Sequence, residues 1–517
     1  MSENKEVTKA AGVVGAATLL SRIFGLLRDI VTAWFFGAGL ASDAFFVAFR
    51  IPNLLRRLFA EGSLTVAFIP VFTEYLTKRG RKEAFELAGS AFRLLSVILA
   101  AVTVVGVLVA PFIVIITAPG YIESAEKFEV TVLLTRIMFP YIFFIGLVAL
   151  CMGILNALGH FAAPALAPVF LNLAMIGSVF GLASFFERPV IGLAVGVLIG
   201  GMLQLAFQAP FLLKKGFFFW KSFPWYHPAI KRIGKLMIPA VLGSAVYTIS
   251  SFIGTLLASL LPEGSVSYLY YADRLVQFPL GVFAIAIGTA VLPSLSRQAA
   301  SHDMDALRDT FAYALRFVFF ITIPAMVGLI VLRVPIIQLI FKRGAFDATA
   351  TQLTAEALLY YAIGLWAASG LRVVVSTFYA LQDTKTPVKV AILSLSSYIV
   401  LSIILMNPMR HGGLALALSL SSMLNFTVLI WFLKKRLGRI GGRNILKSVS
   451  ISSIASIVMG LTIAWFLSNI ELQGDINTIR LMMYVGLSVV GGIVIYGGLS
   501  RIFKSKELTA VIGMLRK

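Results

Sequence analysis

The stretch LSVILAAVTVVGVLVAPFIVIIT, residues 95–117, contains no charged side chain. A helix of about 20 apolar residues is long enough to cross the hydrocarbon core of a bilayer, which is about 30 Å thick. Comparable apolar runs recur along all 517 residues, and the chain is 59% hydrophobic but only 13% charged. Soluble domains carry about 25% charged residues. The sequence therefore predicts an all-α polytopic membrane protein.

Fourteen transmembrane helices are predicted from the length and hydropathy of these runs. The shorter apolar stretch 335–341 fits an interfacial or re-entrant piece. The predicted spans cover residues 10–36, 42–76, 87–117, 129–157, 162–184, 190–213, 233–260, 266–297, 309–332, 353–381, 387–406, 412–433, 446–468 and 479–503.

The basic residues predict the orientation of these spans. With both termini in the cytoplasm, about 27 of the 44 Lys and Arg lie on the inside, about 7 on the outside and about 10 within spans. This asymmetry follows the positive-inside rule. The net charge of +21 is therefore attributed to orientation and to contact with anionic lipid headgroups, and nucleic acid is not expected as a partner.

An internal repeat divides the chain into two halves, because three pairs of segments match in nearly one register. Two of the pairs share an offset of 223 residues, and the third slips by two. The pairs are Pro70 in FIPVF with Pro293 in VLPSL, NALGHFAAP (156–164) with YALQDTKTP (379–387), and GLAVGVLIGGMLQ (192–204) with GLALALSLSSMLN (413–425).

The repeat predicts two six-helix lobes related by a pseudo-two-fold axis along the membrane normal. The N-lobe covers residues 1–215, the C-lobe covers 216–440, and two extra helices occupy 441–517. Transporters built from such repeats bind substrate near the membrane midplane, between the halves.

The first span concentrates its polar side chains on one face, within an arc of about 120° on a helical wheel. Such a face in a membrane more often lines a water-filled cavity than packs against a neighbouring helix with internal ion pairs, but both interpretations remain open. The residues are Thr18, Ser21, Arg22, Arg28, Asp29 and Thr32.

The second span carries a charged stripe made of Asp43, Arg50, Arg57 and Glu61. Arg57 and Glu61 have the i, i+4 spacing of a helical ion pair. Asn53 lies beside the stripe, whereas Arg56 points away from it on an ideal wheel. Pro52 makes the ideal wheel unreliable, because a proline inside a helix kinks it.

The eighth span corresponds to the second in the repeat and also has one polar face. Its members are Ser267, Tyr270, Asp273, Arg274 and Gln277. A local structural pair between Asp273 and Arg274 is the simpler alternative. The functional interpretation is that both halves direct cations towards one central cavity.

Apart from Lys235, Lys389 and Lys447, which lie within three residues of a span end, the cations within the predicted spans are arginines. A guanidinium stays charged in a low dielectric and offers a planar fork of donors to phosphate oxygens. The pattern therefore favours an anionic, phosphate-bearing substrate. The carboxylates Asp29, Asp43, Glu61 and Asp273 are expected to neutralise the cluster or to act in gating. Arg93 and Arg316, near cytoplasmic span ends, are interpreted as snorkelling side chains.

Nothing in the sequence indicates an enzyme. The four histidines lie at loops or span ends, and no HExxH, GxSxG or phosphate-binding loop motif is present. The single cysteine, Cys151, excludes an intramolecular disulfide. Catalytic residues, metal ligands and cofactors are therefore not predicted.

Three stretches carry a resemblance to a known family. They are SRIFGLLRD (21–29) with the continuation FGAGLASDAFFVAFRIPNLLRRLFAEGSLTVAFIPVFTEY (36–75), GSVSYLYYADRLVQFPLGVF (264–283) and ALQDTKTPVK (380–389). They resemble the MurJ/MviN family, the lipid II flippases of peptidoglycan and cell-wall synthesis, within the multidrug/oligosaccharidyl-lipid/polysaccharide exporter superfamily. The resemblance covers nearly the whole chain and weakens after about residue 440.

The resemblance implies a set of substrate-binding residues, and a role in substrate handling or gating for Asp43 and Glu61. It also implies a lipid-tail groove at the last two helices. The substrate-binding set is Arg22, Arg28, Arg56, Arg274, Asn53, Ser267 and Gln277. The charge pattern adds Asp29, Arg50, Arg57 and Asp273 to Asp43 and Glu61, and these six form the gating or charge-balancing set.

Two departures from the family pattern affect these expectations. Some relatives carry an acid at the position of Gln277, so a gate that uses that charge is in doubt here. Some have a sodium site that includes a carboxylate in span 7, whereas 233–260 contains neither Asp nor Glu. A sodium site is therefore not predicted.

The implied function is transport of undecaprenyl-diphosphate-linked lipid II from the inner to the outer leaflet of the bacterial cytoplasmic membrane, by alternating access. Membrane lipids and cell-wall synthesis proteins are further candidate partners. The arginines alone also allow a flippase for another lipid-linked oligosaccharide. A membrane-embedded transferase on lipid-linked sugars and a scaffold that binds lipid II without moving it are the alternatives from other classes.

Overall fold

The computed structural model of the protein describes residues 2–56, 64–221, 223–470 and 477–515. Within these ranges the regular structure is helical and contains no β-strand. The prediction of an all-α polytopic protein is confirmed. Arg57 and Glu61 lie outside the described residues, so the predicted ion pair between them stays a prediction.

The described residues of the first half of the chain form ten α-helices. Short 3₁₀ turns at Pro119–Glu123 and Ala183–Phe185 connect some of them. The helices are α1 (Ser2–Phe36), α2 (Leu40–Arg56), α3 (Leu64–Lys78), α4 (Gly80–Leu108), α5 (Ala110–Thr117), α6 (Ala125–Met138), α7 (Tyr141–Ala157), α8 (Ala162–Gly181), α9 (Val190–Lys214) and α10 (Pro228–Ser259).

The second half forms ten more. A π-helical turn at Leu280–Ala284 joins the first two of them. They are α11 (Ser265–Pro279), α12 (Ile285–Ala300), α13 (Met304–Val331), α14 (Arg333–Ile340), α15 (Ala348–Ile363), α16 (Leu365–Ala380), α17 (Lys385–Leu437), α18 (Gly442–Ser468), α19 (Thr478–Ile502) and α20 (Lys506–Leu515).

Among the described residues, nine helices are long and apolar enough to cross a membrane, or ten if the bent pair α15 and α16 forms one span. The long helix α17 is interrupted at Arg410, where φ is +49°, and so contains the segments predicted as spans 11 and 12. The total of fourteen is consistent with this architecture and stays a prediction. The stretch 335–341 lies largely in the short helix α14.

Large apolar side chains on the helix surfaces are exposed. Val104, Leu108 and Phe112 are each more than half exposed. In hydrocarbon such exposure carries no hydrophobic penalty, and helices associate instead through close packing of small residues. The contact of α8 with α9 is of this kind, since a Cβ at Gly200 would lie 2.7 Å from Leu171 Cδ1.

The chain divides into two compact units. The first comprises Met1–Val266 together with Arg343–Ala345, and the second comprises Ser267–Lys342 and Phe346–Lys517. The first unit therefore contains α10, the helix predicted as span 7. The predicted lobe boundaries at 215 and 440 stay predictions.

Each unit has its own apolar core. In the first, α3, α4, α7 and α9 surround Phe68, Phe72 and Phe217, which are almost fully buried. In the second, α13, α16 and α17 enclose Phe311 and Phe378. Helices α18 and α19 pack on α13 through a smaller cluster that includes Phe320 and Tyr496.

Candidate functional site

The polar face of α1 contains a buried ion pair between neighbouring residues. Arg28 donates from Nε and Nη2 to Oδ1 of Asp29, at 3.0 and 2.6 Å. Its Nη1 donates to Oδ1 of Asn172 in α8 at 3.1 Å, and Asn172 Nδ2 donates to the carbonyl of Ser21 at 3.3 Å. An arginine facing lipid at mid-membrane costs about 2.5–3.5 kcal/mol. These contacts offset that cost by giving the guanidinium a carboxylate and an amide.

The same face of α1 is not uniform along its length. Arg28, Asp29 and Thr32 are buried, whereas Thr18 and Arg22 are exposed. The buried end packs against α8, as in the packing alternative from the sequence. The exposed end leaves the Arg22 side chain accessible to a solute.

Asp43, in the first turn of α2, is the centre of a second polar cluster in the first unit. Its Oδ2 accepts from Lys127 Nζ in α6 at 2.9 Å and from the backbone N–H of Gly264 at 2.8 Å. Lys127 Nζ also lies 4.3 Å from the centroid of the Tyr121 ring. The carboxylate is thus bound by a cation and by a backbone donor.

A second carboxylate binds the start of α2 to the loop that contains Gly264. Glu263 Oε1 accepts from the backbone N–H of Leu40 at 2.7 Å. The first N–H groups of a helix have no partner within the helix, and an acceptor with negative charge also suits the positive end of the helix dipole. Through their contacts with Leu40 and Asp43, Glu263 and Gly264 bind this loop to the first turn of α2.

The arginines of α2 contact different neighbours. Arg50 Nη1 donates to both the carbonyl and the Oγ of Ser251 in α10, at 3.1 and 2.5 Å. Arg56 Nε donates to Asn53 Oδ1 at 3.1 Å, one turn earlier in the same helix. Arg56 and Asn53 are therefore in contact in the structure. Both follow Pro52 in α2, where an ideal helical wheel is unreliable.

In the second unit, Arg274 of α11 lies over an aromatic ring. Its Nη2 donates to the Tyr270 hydroxyl at 3.0 Å, and its Cζ lies 5.3 Å from the centroid of that ring. Asp273 accepts a hydrogen bond from Gln277 Nε2, one turn later. These side chains are half-buried, whereas Ser267 is fully buried.

The chemistry of these groups suits an anion. Arg28, Arg50, Arg56 and Arg274 donate to oxygens of carboxylate, amide, hydroxyl or carbonyl groups, and phosphate oxygens are acceptors for the same fork of donors. A phosphate group can therefore accept from the same guanidinium donors, and the oxygen that it displaces then loses that donor.

A family model described as "Lipid II flippase MurJ" matches residues 32–485. The chain belongs to the MurJ family of lipid II flippases. The "Probable lipid II flippase MurJ" of Vibrio cholerae is 42% identical over 433 residues, which is 82% of each chain. The "Lipid II flippase MurJ" of Burkholderia cenocepacia is 39% identical over 442 residues, which is 83% of this chain and 84% of that protein.

Solved structures agree with the family assignment. A structure titled "Lipid II flippase MurJ, inward closed conformation" has 29% sequence identity and a TM-score of 0.79, over 95% of this chain and 98% of that one. An inward-facing multidrug transporter of the MATE family has 16% identity and a TM-score of 0.68 over 84% of this chain, which shows a shared fold. This MurJ-family protein is therefore a multi-pass membrane protein of a transport family.

Several partners in these contacts were not predicted from the sequence. Lys127 lies outside the predicted spans, and Asn172, Ser251 and Glu263 carried no pattern that distinguished them. A helical wheel identifies which face is polar, but it does not identify the distant segment that meets that face. The sequence offered only the general expectation that a buried charge has a partner.

Two arginines interpreted as snorkelling side chains have specific partners instead. Arg93 of α4 donates to the carbonyls of Lys221 and Phe223 in the loop after α9. Arg316 of α13 lies with its Nε 3.5 Å from Oε1 of Glu507 in α20, and the Glu507 side chain is nearly buried. Both cations therefore fix a segment that lies far away in the sequence.

Proposed function

We propose that this MurJ-family protein moves lipid II, an undecaprenyl-diphosphate-linked peptidoglycan precursor, from the inner to the outer leaflet of the bacterial cytoplasmic membrane. The observation that carries the proposal is the family match over residues 32–485, with relatives up to 42% identical that are named as lipid II flippases. Transport occurs by alternating access, with both termini in the cytoplasm, and involves no catalytic chemistry.

In this proposal, Arg22, Arg28, Arg56 and Arg274 bind the diphosphate during the cycle. Arg28, Arg56 and Arg274 donate in the structure to Asp29, Asn53 and Tyr270, oxygens that a phosphate can replace. The exposed Arg22 is positioned for first contact. Asn53, Ser267 and Gln277 contribute polar contacts to the headgroup.

The remaining charged residues balance or gate the arginine set. When the diphosphate binds Arg28, it displaces the Asn172 side chain, so substrate binding changes the packing of α1 on α8. Asp29, Asp43, Arg50 and Asp273 balance the charge of the arginines or act in gating. Glu61 is assigned to this role by the family resemblance, and Arg57 by its i, i+4 spacing from Glu61.

The test is lipid II translocation in cells depleted of their own flippase. The wild-type chain restores translocation, whereas R22A, R28A, R56A and R274A each reduce it at least tenfold. Arg→Lys at the same positions keeps the charge but loses the planar fork, so partial loss there supports bidentate phosphate binding. The matched control is R308A, since Arg308 forms an i, i+3 pair with the exposed Asp305.

The outcomes separate the function from the site. If the wild-type chain fails to move lipid II but moves another undecaprenyl-linked glycan, the substrate is different. If the wild-type chain is active and all four alanine variants match it, the transport function stands and the arginine site is wrong.

A further inference from the structure

The segment between α9 and α10 is an aromatic loop, defined here as residues 216–227 and described except at position 222. Its aromatic side chains point in two directions. Phe217 and Phe223 are 1% and 8% exposed and belong to the core of the first unit. Trp220, Trp225 and Tyr226 are 72%, 69% and 62% exposed. The loop is thus anchored on one side and presents three large rings on the other.

The anchored side lies along the first half of α4. The Phe217 ring contacts Phe85 with centroids 5.8 Å apart, and the Phe219 ring contacts Phe92 at 5.2 Å. A Cβ at Gly89 would lie 2.2 Å from Phe223 Cγ, so the glycine allows the close approach of that ring.

Polar contacts fix the same arrangement. Ser90 Oγ donates to the carbonyl of Pro224 at 2.7 Å. Arg93 donates to the carbonyls of Lys221, at 3.2 Å, and Phe223. Because Ser90 and Arg93 bind carbonyl groups of the loop, the loop has a fixed position along α4. Its exposed rings therefore lie at a fixed depth, measured along that helix.

That depth matches the point at which α4 changes from polar to apolar. The charged residues of α4 lie at its start, in RKE (81–83) and at Glu86, and after Arg93 the helix carries no charge as far as Leu108. Arg93 Cζ lies 5.8 Å from the centroid of Trp225 and 5.9 Å from that of Phe223. Trp225 therefore lies where the polar start of the helix gives way to its apolar part. Tryptophan and tyrosine are enriched at this level of a membrane, because their rings are apolar and their N–H or O–H groups reach water.

The charges within the segment 214–235 have one sign. The segment contains no acidic residue. Its cations are Lys214, Lys215, Lys221, Lys231, Arg232 and Lys235. Arg232 is bound to Glu74 at 2.8 Å, while Lys214, at the end of α9, and Lys221, in the loop, are exposed. Basic side chains beside a membrane surface attract anionic phospholipid headgroups.

We propose that the aromatic loop is a membrane anchor that inserts Trp220, Trp225 and Tyr226 into the lipid interface and binds anionic phospholipid headgroups through Lys214 and Lys221. This role goes beyond substrate transport. It fixes the connection between α9 and α10 at the membrane surface through lipid contacts that involve none of the proposed diphosphate-binding residues.

The test measures the depth of spin labels in reconstituted bilayers. Cys151 is buried and is replaced by alanine, and W225C and Y226C are labelled one at a time. V104C, near the middle of the predicted span 87–117, is the hydrocarbon reference, and D305C, with a side chain 90% exposed at the start of α13, is the water reference. Collision with oxygen reports hydrocarbon, and collision with a nickel chelate reports water.

The expected result is that labels at 225 and 226 collide with oxygen at least threefold more, relative to nickel, than the label at 305 does. R93A in the W225C protein should shift this ratio towards the water reference, because the loop loses its support. Labels that match D305C overturn the proposal. Labels that neither reagent reaches also overturn it, because a protein and not lipid would then cover the loop.

The headgroup part has its own measurement, which is the fraction of spin-labelled phosphatidylglycerol immobilised by the protein in phosphatidylcholine bilayers. The double variant K214Q/K221Q should lower the selectivity for phosphatidylglycerol over phosphatidylcholine at least twofold. R308Q is the control, with no expected change. Equal selectivity in the wild type and the double variant overturns headgroup binding at these lysines.

Discussion

Lys127 Nζ lies 2.9 Å from Asp43 Oδ2, and the two side chains are only 9% and 1% exposed. The pair joins α6 to the first turn of α2, and the same carboxylate oxygen accepts from the Gly264 N–H. A buried pair of this kind contributes little when it is intact compared with what is lost when one member is removed. Its importance lies in fixing three segments of the first unit at one carboxylate.

The first prediction concerns this pair. K127M leaves the Asp43 carboxylate buried without its cation, so the free energy of unfolding in detergent should fall by about 3–5 kcal/mol. The double variant D43N/K127M, which removes both charges, should recover most of the loss. K78M is the control, since its pair with Glu74 at 3.4 Å is exposed and surface ion pairs of this kind contribute little. Equal stability of K127M and K78M would contradict this account of the pair.

The second prediction concerns the support of the aromatic loop. G89A places a Cβ against the Phe223 ring, and overpacking of this kind costs about 1–3 kcal/mol. Thermal unfolding followed by circular dichroism should therefore begin at lower temperature. G177A in α8 is the control, because nothing lies within 4 Å of a Cβ there. Alanine should be neutral or stabilising at that position by about 0.5–1 kcal/mol. A G89A protein as stable as G177A would mean that the loop does not hold the Phe223 ring against α4.

The third prediction concerns α20. Glu507 accepts from Ser505 Oγ at 2.8 Å and pairs with Arg316, while Leu508 and Val511 of the same helix pack on the cluster around Phe320 and Tyr496. E507A should raise amide hydrogen exchange in 506–515 about tenfold or more, which corresponds to roughly 1.4 kcal/mol of local stability. D305A, which breaks an exposed pair in α13, should leave exchange in 506–515 unchanged. If E507A also leaves it unchanged, the ion pair does not hold α20.

The fourth prediction is a pH dependence at the loop between α16 and α17. The backbone N–H and hydroxyl of Thr386 bind the Asp383 carboxylate, and with Arg436 at 2.7 Å they hold its pKa below the usual value. A carboxyl group with a lowered folded-state pKa stabilises the protein fully above its unfolded-state pKa, about 3.9, and stops doing so as pH falls through the folded-state value. D383A should therefore be less stable than the wild type by about 1 kcal/mol at pH 7.

That difference should shrink below about pH 4 as the wild-type carboxyl group becomes protonated. The measurement is the melting temperature of both proteins between pH 3 and 8. D305A is the control, because Asp305 is almost fully exposed. A difference between D383A and the wild type that does not change with pH would show that the charge of Asp383 is not what stabilises the loop.

Much of the architecture follows from the sequence because hydrocarbon imposes one requirement. Backbone groups in a bilayer must be satisfied within the segment, so apolar runs of sufficient length are helices. The positions at which helices break within these apolar runs were not predicted. The run predicted as span 10 bends by 40° between α15 and α16, and the run predicted as span 4 contains both α6 and α7, which meet at Phe139 and Pro140.

The polar residues of the candidate site could be listed from the sequence, but the groups that they contact could not. The wheel placed Arg28 and Asp29 on a polar face, and the resemblance selected Arg56 beside Asn53. The distant partners could not be predicted from the sequence: Asn172 lies 144 residues from Arg28, and Lys127 lies 84 residues from Asp43. Such pairs depend on which helices become neighbours, and a single sequence gives the polar face of a helix without naming the helix that covers it.

Arg93 and Arg316 are separated by 223 positions, the same offset as Pro70 and Pro293. In the predicted repeat they are therefore equivalent positions. Arg93 binds loop carbonyls, whereas Arg316 faces a carboxylate of α20. The repeat offset thus locates a matching cation in each half but not the group that it binds, so the partner of one arginine cannot be inferred from the partner of the other.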